Sequence, residues 1–157
     1  MLKLSRKTLL ALEAVIDIAF NARPGPVQAK EITARQGVPQ RYLEQVMQQL
    51  VRAGILKGVR GPRGGYRLAR ERRRISVGDV VRVAESIEDD EEKNVPRSDL
   101  GQRIVAPFVA TLQDELMKRL DSVSIEELCQ RARHVGMDAE VEASADFTTS
   151  DCQVFRA

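Results

Sequence analysis

Two cysteines and one histidine in 157 residues leave this sequence poor in the side chains on which most site chemistry depends. Cys129 and Cys152 stand far apart with no Cys-x-x-Cys pair, so neither a disulfide framework nor a zinc site is indicated, and a reducing cytoplasm suits the chain. His134 alone cannot complete a Ser-His-Asp or Cys-His arrangement and reads as a surface residue, so the chain is not expected to be an enzyme. No glycine-rich phosphate loop of the P-loop or dinucleotide-binding type is present, and no internal repeat. Long apolar runs are also missing. The N-terminus starts charged and turns apolar, but Glu13 and Asp17 interrupt it and no small-residue cleavage site follows, which argues against a signal peptide or a membrane span.

Charge is plentiful, and its signs are segregated. Residues 1–85 hold 17 Lys and Arg against 7 Asp and Glu, a net +10, whereas residues 86–157 hold 8 against 16, a net −8. A basic half joined to an acidic half suits a polyanion-binding module carrying a segment with another job; chance clustering on solvated faces is the alternative. With 43% apolar residues the chain can bury a core in one domain with an appended element.

Apolar spacing predicts a first helix from Ser5, its N-cap, to Asn21, with Leu9, Leu12, Ile16, Ala19 and Phe20 inward. A short second helix, Ala29 to Gln36, turns Ile32 inward and ends at Gly37. Pro39 suits the first turn of a third helix, with Tyr42, Leu43, Val46, Met47 and Leu50 as its apolar stripe and Gly54 closing it. Two helices joined by a glycine turn form the pattern of a helix-turn-helix. Ile55-Leu56 and Tyr66-Arg67-Leu68 then read as short strands of a β-hairpin wing, whose loop carries Lys57, Arg60 and Arg63. The basic run from Arg70 to Arg74 is a solvated loop or a phosphate contact, and Ser76 caps a helix from Val77 to Ala84.

The acidic stretch Glu88 to Glu92 lacks the spaced ligands of a calcium loop, so it reads as a solvated loop rather than a cation site. Beyond it Leu100, Ile104, Phe108, Leu112, Leu116 and Leu120 recur along a long helix whose apolar face needs a partner. A twofold-related copy supplies one, and packing on the chain's own winged domain is the alternative. Pro107 requires that this helix either begin near Ala106 or kink there. Ser124 caps a final helix from Ile125 to about Arg133. The divisions are therefore 1–85 for the winged domain, 86–99 for an exposed acidic loop, 100–136 for the dimerisation helix and final helix, and 137–157 for a disordered tail.

A helix in the major groove reads base edges with long polar side chains, while cations and backbone amides hold phosphates. Gln40, Arg41, Tyr42, Glu44 and Gln45 on the third helix are the candidates for the first task. Lys3, Arg6 and Lys7 at the start of the first helix, with Gly61, Pro62 and Arg63 of the wing, are candidates for the second. Arg60 suits a narrow minor groove, whose negative potential attracts guanidinium. Glu44 would repel phosphate, so it serves to accept from cytosine or to exclude wrong bases, unless it pairs with Arg41 or Arg52.

The chain resembles the IscR-type, or Rrf-type, regulators over roughly Leu2 to Ala84. The resemblance rests on Arg41-Tyr42-Leu43-Glu44-Gln45, on the wing from Val59 to Leu68, and on Ser76-Val77-Gly78-Asp79-Val80. It implies a homodimer on a palindromic operator, with base-reading residues at Arg41, Tyr42, Glu44 and Gln45, a minor-groove arginine at Arg60, and the long helix as the dimer element. Cluster-binding members of that family carry three cysteines in the loop before the dimer helix and often a histidine at its start. Here residues 86–99 have no cysteine, and Ala106-Pro107 stands where the histidine would come. No cofactor is therefore expected; an iron–sulfur cluster on an unusual ligand set stays open, with Cys129 and Cys152 read as ordinary cysteines. The expected fold is mainly α with a small β-hairpin wing, a winged helix-turn-helix domain plus a long dimerisation helix. The expected function is a cytoplasmic DNA-binding repressor whose effector is a small molecule or partner protein, the rival being a dimeric adaptor that keeps the fold but binds protein.

Overall fold

The computed structural model describes residues 4–21, 25–86 and 97–137. Lys3, the acidic run Glu88 to Glu92, Cys152 and the predicted tail beyond Met137 lie outside them. Helices α1 (Arg6–Asn21), α2 (Ala29–Gln36) and α3 (Gln40–Arg52) lead into a hairpin of β1 (Leu56–Val59) and β2 (Gly65–Leu68). A single 3₁₀ turn (Arg72–Arg74), α4 (Val77–Ser86), α5 (Ala106–Asp121) and α6 (Ile125–His134) complete the order. This is the mainly helical, winged architecture expected.

Local chemistry accounts for the helix boundaries. The Ser5 hydroxyl accepts from the Thr8 amide at 3.1 Å and so caps α1. Gly37 ends α2 at φ 64°, a left-handed conformation costly for a residue with a Cβ, and its amide donates to the Thr33 carbonyl. Asp17 of α1 takes a two-point ion pair from Arg35 of α2, at 2.7 and 2.8 Å, which ties the helix pair that presents α3. Leu43, Val46, Met47 and Leu50 bury the inner face of α3. Each such side chain contributes about 1.5–3 kcal/mol of burial.

The inward face of α1 differs from the predicted one. Ala19 is buried as predicted, but the rest of the buried face is Leu10, Ala11, Ala14, Val15 and Ile18, while Leu12, Ile16 and Phe20 pack only at its margin and Leu9 is 54% exposed. Small residues let α1 lie close to α4, α6 and the wing, so its core face is the alanine-rich one. The wing strands also extend further into the predicted loop, with Leu56 opposite Leu68 and Val59 opposite Gly65.

In the second half, Pro107 lies in the first turn of α5, which begins at Ala106 as one of the two expected alternatives has it; helical backbone nevertheless precedes it from Asp99, and Gly101–Val105 form a π turn in which the Ala106 amide donates to the Gly101 carbonyl. Proline has no amide hydrogen and its ring clashes with the carbonyl four residues back, so a wider turn is a way to carry the helix past it. The final helix, moreover, does not stand apart with α5. Ile125 and Cys129 are wholly buried in the same core as α1 and α3, and the Val77 and Ile125 amides donate to the Val123 and Ile75 carbonyls, zipping the starts of α4 and α6 together. Residues of α6 thus belong to the winged core by packing.

Candidate nucleic-acid interface

The first turn of α3 lies between two open clefts. One is lined by Gln40 together with Gln28 and Lys30 at the start of α2, Tyr66 of β2, and the wing residues Arg60, Gly61 and Pro62. The other is lined by Arg6, Val38, Pro39 and Tyr42. Gln40, Arg41 and Gln45 are exposed, as are Arg6, Arg60, Gly61, Pro62 and Arg63; Tyr42 and Glu44 are half-buried. Of the predicted residues, Gln40, Arg60, Gly61 and Pro62 share one cleft and Arg6 and Tyr42 the other, whereas Arg41, Glu44, Gln45 and Arg63 line neither. Lys57 is exposed on β1 directly opposite Arg67, which concentrates positive charge on the hairpin.

Glu44 is not paired with Arg41 or Arg52. Its carboxylate accepts a hydrogen bond from the Gln40 side-chain amide at 2.7 Å, one turn back on α3. Tyr66 on the wing feels the same group: burial first, and then the negative charge of Glu44, hold its phenol above its ordinary pKa. Glu44 thus stands between a base-reading candidate and the wing, half-shielded from water.

Glycines set the shape of the wing. Gly61 turns its tip at φ 114°, and the Gly64 amide donates to the Gly61 carbonyl at 2.9 Å. Gly65 sits against the segment between α1 and α2, where Val27 and Tyr66 exchange both backbone hydrogen bonds, at 3.0 and 2.8 Å. A Cβ on Gly65 would fall onto the Val27 carbonyl. Val27 therefore forms a one-residue β-bridge that pins the wing to the helix-turn-helix. Sequence reasoning missed it, along with Gln28 and Lys30. The signals available were the two adjacent glycines before Tyr66 and Glu31, whose carboxylate takes the Gln28 amide at 2.8 Å and so marks the α2 start.

The second predicted surface lies on the long helix. Leu100, Ile104 and Phe108 are 69%, 61% and 63% exposed, and Leu112 and Leu116 are also uncovered. Leu120 departs from this stripe: it is half-buried near the end of α5, where Asp121 pairs with Arg82 of α4 and abuts Gly78. A Cβ on Gly78 would strike the Asp121 carboxylate, so this glycine permits the crossing of α4 and α5.

Among the described residues no cluster of three His, Cys, Asp or Glu is placed to hold a metal ion. Cys129 is buried in the core and its thiol is pushed up by burial, with Arg72 as the largest opposing influence. Among the described residues this is the one cysteine, and the sequence from Ser86 to Asp99 holds none. Among the described residues no helix is long and apolar enough to cross a membrane.

Comparisons with known proteins agree with this architecture. A family described as Rrf2, iron-dependent transcriptional regulator, matches residues 4–131. The HTH-type transcriptional regulator IscR of Aliivibrio salmonicida is 34% identical over 147 residues, covering 92% of this chain and 83% of that protein. Its counterpart in Xenorhabdus nematophila is 34% identical over 129 residues, covering 81% and 79%. Among solved structures, IscR of T. potens superposes with a TM-score of 0.69 at 34% identity, covering 87% of this chain and 92% of that one. CymR, the global cysteine regulator of B. subtilis, superposes with a TM-score of 0.65 at 30% identity, covering 83% and 98%.

Proposed function

This chain belongs to the Rrf2 family of DNA-binding transcriptional regulators, and on that premise we propose that it acts as a homodimer that represses transcription by occupying a palindromic operator. The observation that carries this reading is the groove in which Gln40, at the start of α3, shares walls with the wing residues Arg60, Gly61 and Pro62. In this reading Gln40, Arg41, Tyr42, Glu44 and Gln45 meet base edges in the major groove. Arg60 enters the adjacent minor groove, and Arg6, Lys3, Arg63 and the wing backbone hold phosphates. The exposed stripe from Leu100 to Leu116 supports dimerisation, since a protruding apolar helix face is stable only when covered. Two copies would set their recognition helices about 34 Å apart, or a multiple of it, which matches half-sites on one side of the duplex.

The effector in this reading is a small molecule or a partner protein, and the site of action is the cytoplasm. A loop-bound cluster is disfavoured by the donors present, although the family's iron-dependent description keeps a cluster on other ligands as the second reading. Anaerobically purified protein should be colourless; visible absorption from a bound cluster would overturn the first reading in favour of the second.

Operator binding is tested by comparing a palindromic duplex, selected from a random pool, with its scrambled version at two salt concentrations. A regulator making about six phosphate contacts should lose roughly a thousandfold in affinity between about 50 and 200 mM salt. A protein-binding adaptor would show neither sequence preference nor salt slope, and that result would sink the proposal.

A further inference from the structure

A second recess lies apart from the α3 groove. It opens between the end of α1, the outer side of β2, the loop that follows, and the start of α6, and it shares no lining residue with the recognition groove. Successive side chains of a strand point to opposite faces, so Arg67 faces this recess while Tyr66, its neighbour, lines the other cleft. Its inner wall is apolar at Leu68, which is half-buried, with Ile18 and Ala19 buried behind it. Its rim carries Arg67, Arg70, Arg72 and Arg73 against only two carboxylates, Glu71 and Glu126. Arg72 and Glu126 are already engaged with each other at 3.0 Å, and both side chains are mostly buried. Arg70 reaches only the Arg74 carbonyl, at 3.4 Å, and Arg70 and Arg73 are exposed.

Arg70 and Arg73 stand exposed at the rim beside an apolar side chain, so their donors can be taken by an anion held there. Guanidinium is also the side chain whose flat, forked donors match a carboxylate. A concave site with an apolar wall and a few convergent polar groups has the form of a small-molecule site. We propose that this recess binds a small organic carboxylate with a short apolar body, its charged end held by Arg70 and Arg73 and its body against Leu68. The inference rests on the regulatory reading above and names the chemical class of its effector. A duplex phosphate is a poorer occupant, because it would leave the apolar wall uncovered and the recess opens on the far side of the hairpin from the recognition helix.

The position suits control. The recess touches the base of the wing through Arg67 and Leu68, and the start of α6 through Glu126, and α6 follows directly on the long helix α5. An occupant would therefore bear at once on the wing and on the joint between α5 and the winged core. If it does, linkage requires that operator and carboxylate alter each other's affinity by one common factor, typically about 5–150-fold.

The test is calorimetric titration of the full chain with hexanoate, using inorganic phosphate and chloride at equal ionic strength as reference anions. Hexanoate should bind saturably at one site per chain, at least about tenfold more tightly than phosphate, and the Arg70→Ala/Arg73→Ala variant should weaken it by about tenfold or more, the loss of one charge-assisted hydrogen bond. Arg60→Ala should leave hexanoate binding unchanged, and Arg70→Lys/Arg73→Lys should retain part of it. Absence of saturable binding, or undiminished binding by the double alanine variant, would overturn the proposal. So would direct displacement of hexanoate by a palindromic duplex together with a shallower salt slope in the double variant, which would make these arginines phosphate contacts. Operator preference measured without hexanoate stands separately: it can fail while the carboxylate site holds, or hold while that site fails.

Discussion

In the proposed reading, base preference turns on Glu44. It accepts from Gln40 and stands near Tyr66 of the wing, so removing its carboxylate frees Gln40 and deletes a charge that repels phosphate. Glu44→Ala should relax base preference while total affinity stays similar or rises, read by selection from a random duplex pool; a uniform fall in affinity would assign it a structural role. Arg60→Ala should weaken binding chiefly at operators with narrow minor-groove flanks, and equal loss on every flank would defeat the minor-groove role. Gly65→Ala forces a methyl onto the Val27 carbonyl, so it should cost about 1–3 kcal/mol in urea unfolding and loosen the wing. Cys129 is buried with its thiol pushed up, so in a Cys152→Ser background it should resist thiol reagents until the protein unfolds. Rapid native-state modification would contradict that burial.

At the scale of elements, α5 is the part whose surroundings are incomplete. Its C-terminal end is fastened to α4 through Asp121, Arg82 and Gly78, whereas its first turns and the π turn before them present Leu100, Ile104 and Phe108 to water. Phe108→Lys combined with Leu112→Lys should convert a dimer to a monomer in analytical ultracentrifugation while leaving the winged domain folded, and should weaken operator binding by removing the second half-site contact. A double variant that still sediments as a dimer would remove α5 from that role. The hairpin is the opposite case, since the Val27 bridge and the close approach of Gly65 hold its base against the segment between α1 and α2 and leave the tip free to project.

For the molecule as a whole, α6 decides how many folding units there are. Ile125 and Cys129 complete the core that α1 and α3 begin, although the polypeptide reaches them only after the acidic segment and the long helix. Ile125→Ala should therefore cost about 2–5 kcal/mol and lower a single melting transition common to helix and wing signals. Separate transitions, with the wing unaffected, would show that α6 folds on its own. The segregation of charge also acts at this scale, because a net +10 over residues 1–85 favours approach to a polyanion.

Much of the fold was legible in the chain. Ser5, Gly37, Ser76 and Ser124 mark helix ends because capping is local chemistry between residues three or four apart, and the wing motif from Arg60 to Tyr66 reads from its glycines and cations. The burial stripe of α1 was misassigned because Leu9 and Leu10 fit helical spacing equally well, and only the packing of α4 and α6 against the alanine face decides between them. Likewise the Val27 bridge and the arginine-rimmed recess join residues whose partners are set by how helices and hairpin stack. Backbone rules act over a few residues and are written into the sequence itself; contacts between elements depend on close packing of every side chain at once, and so only the folded molecule decides them.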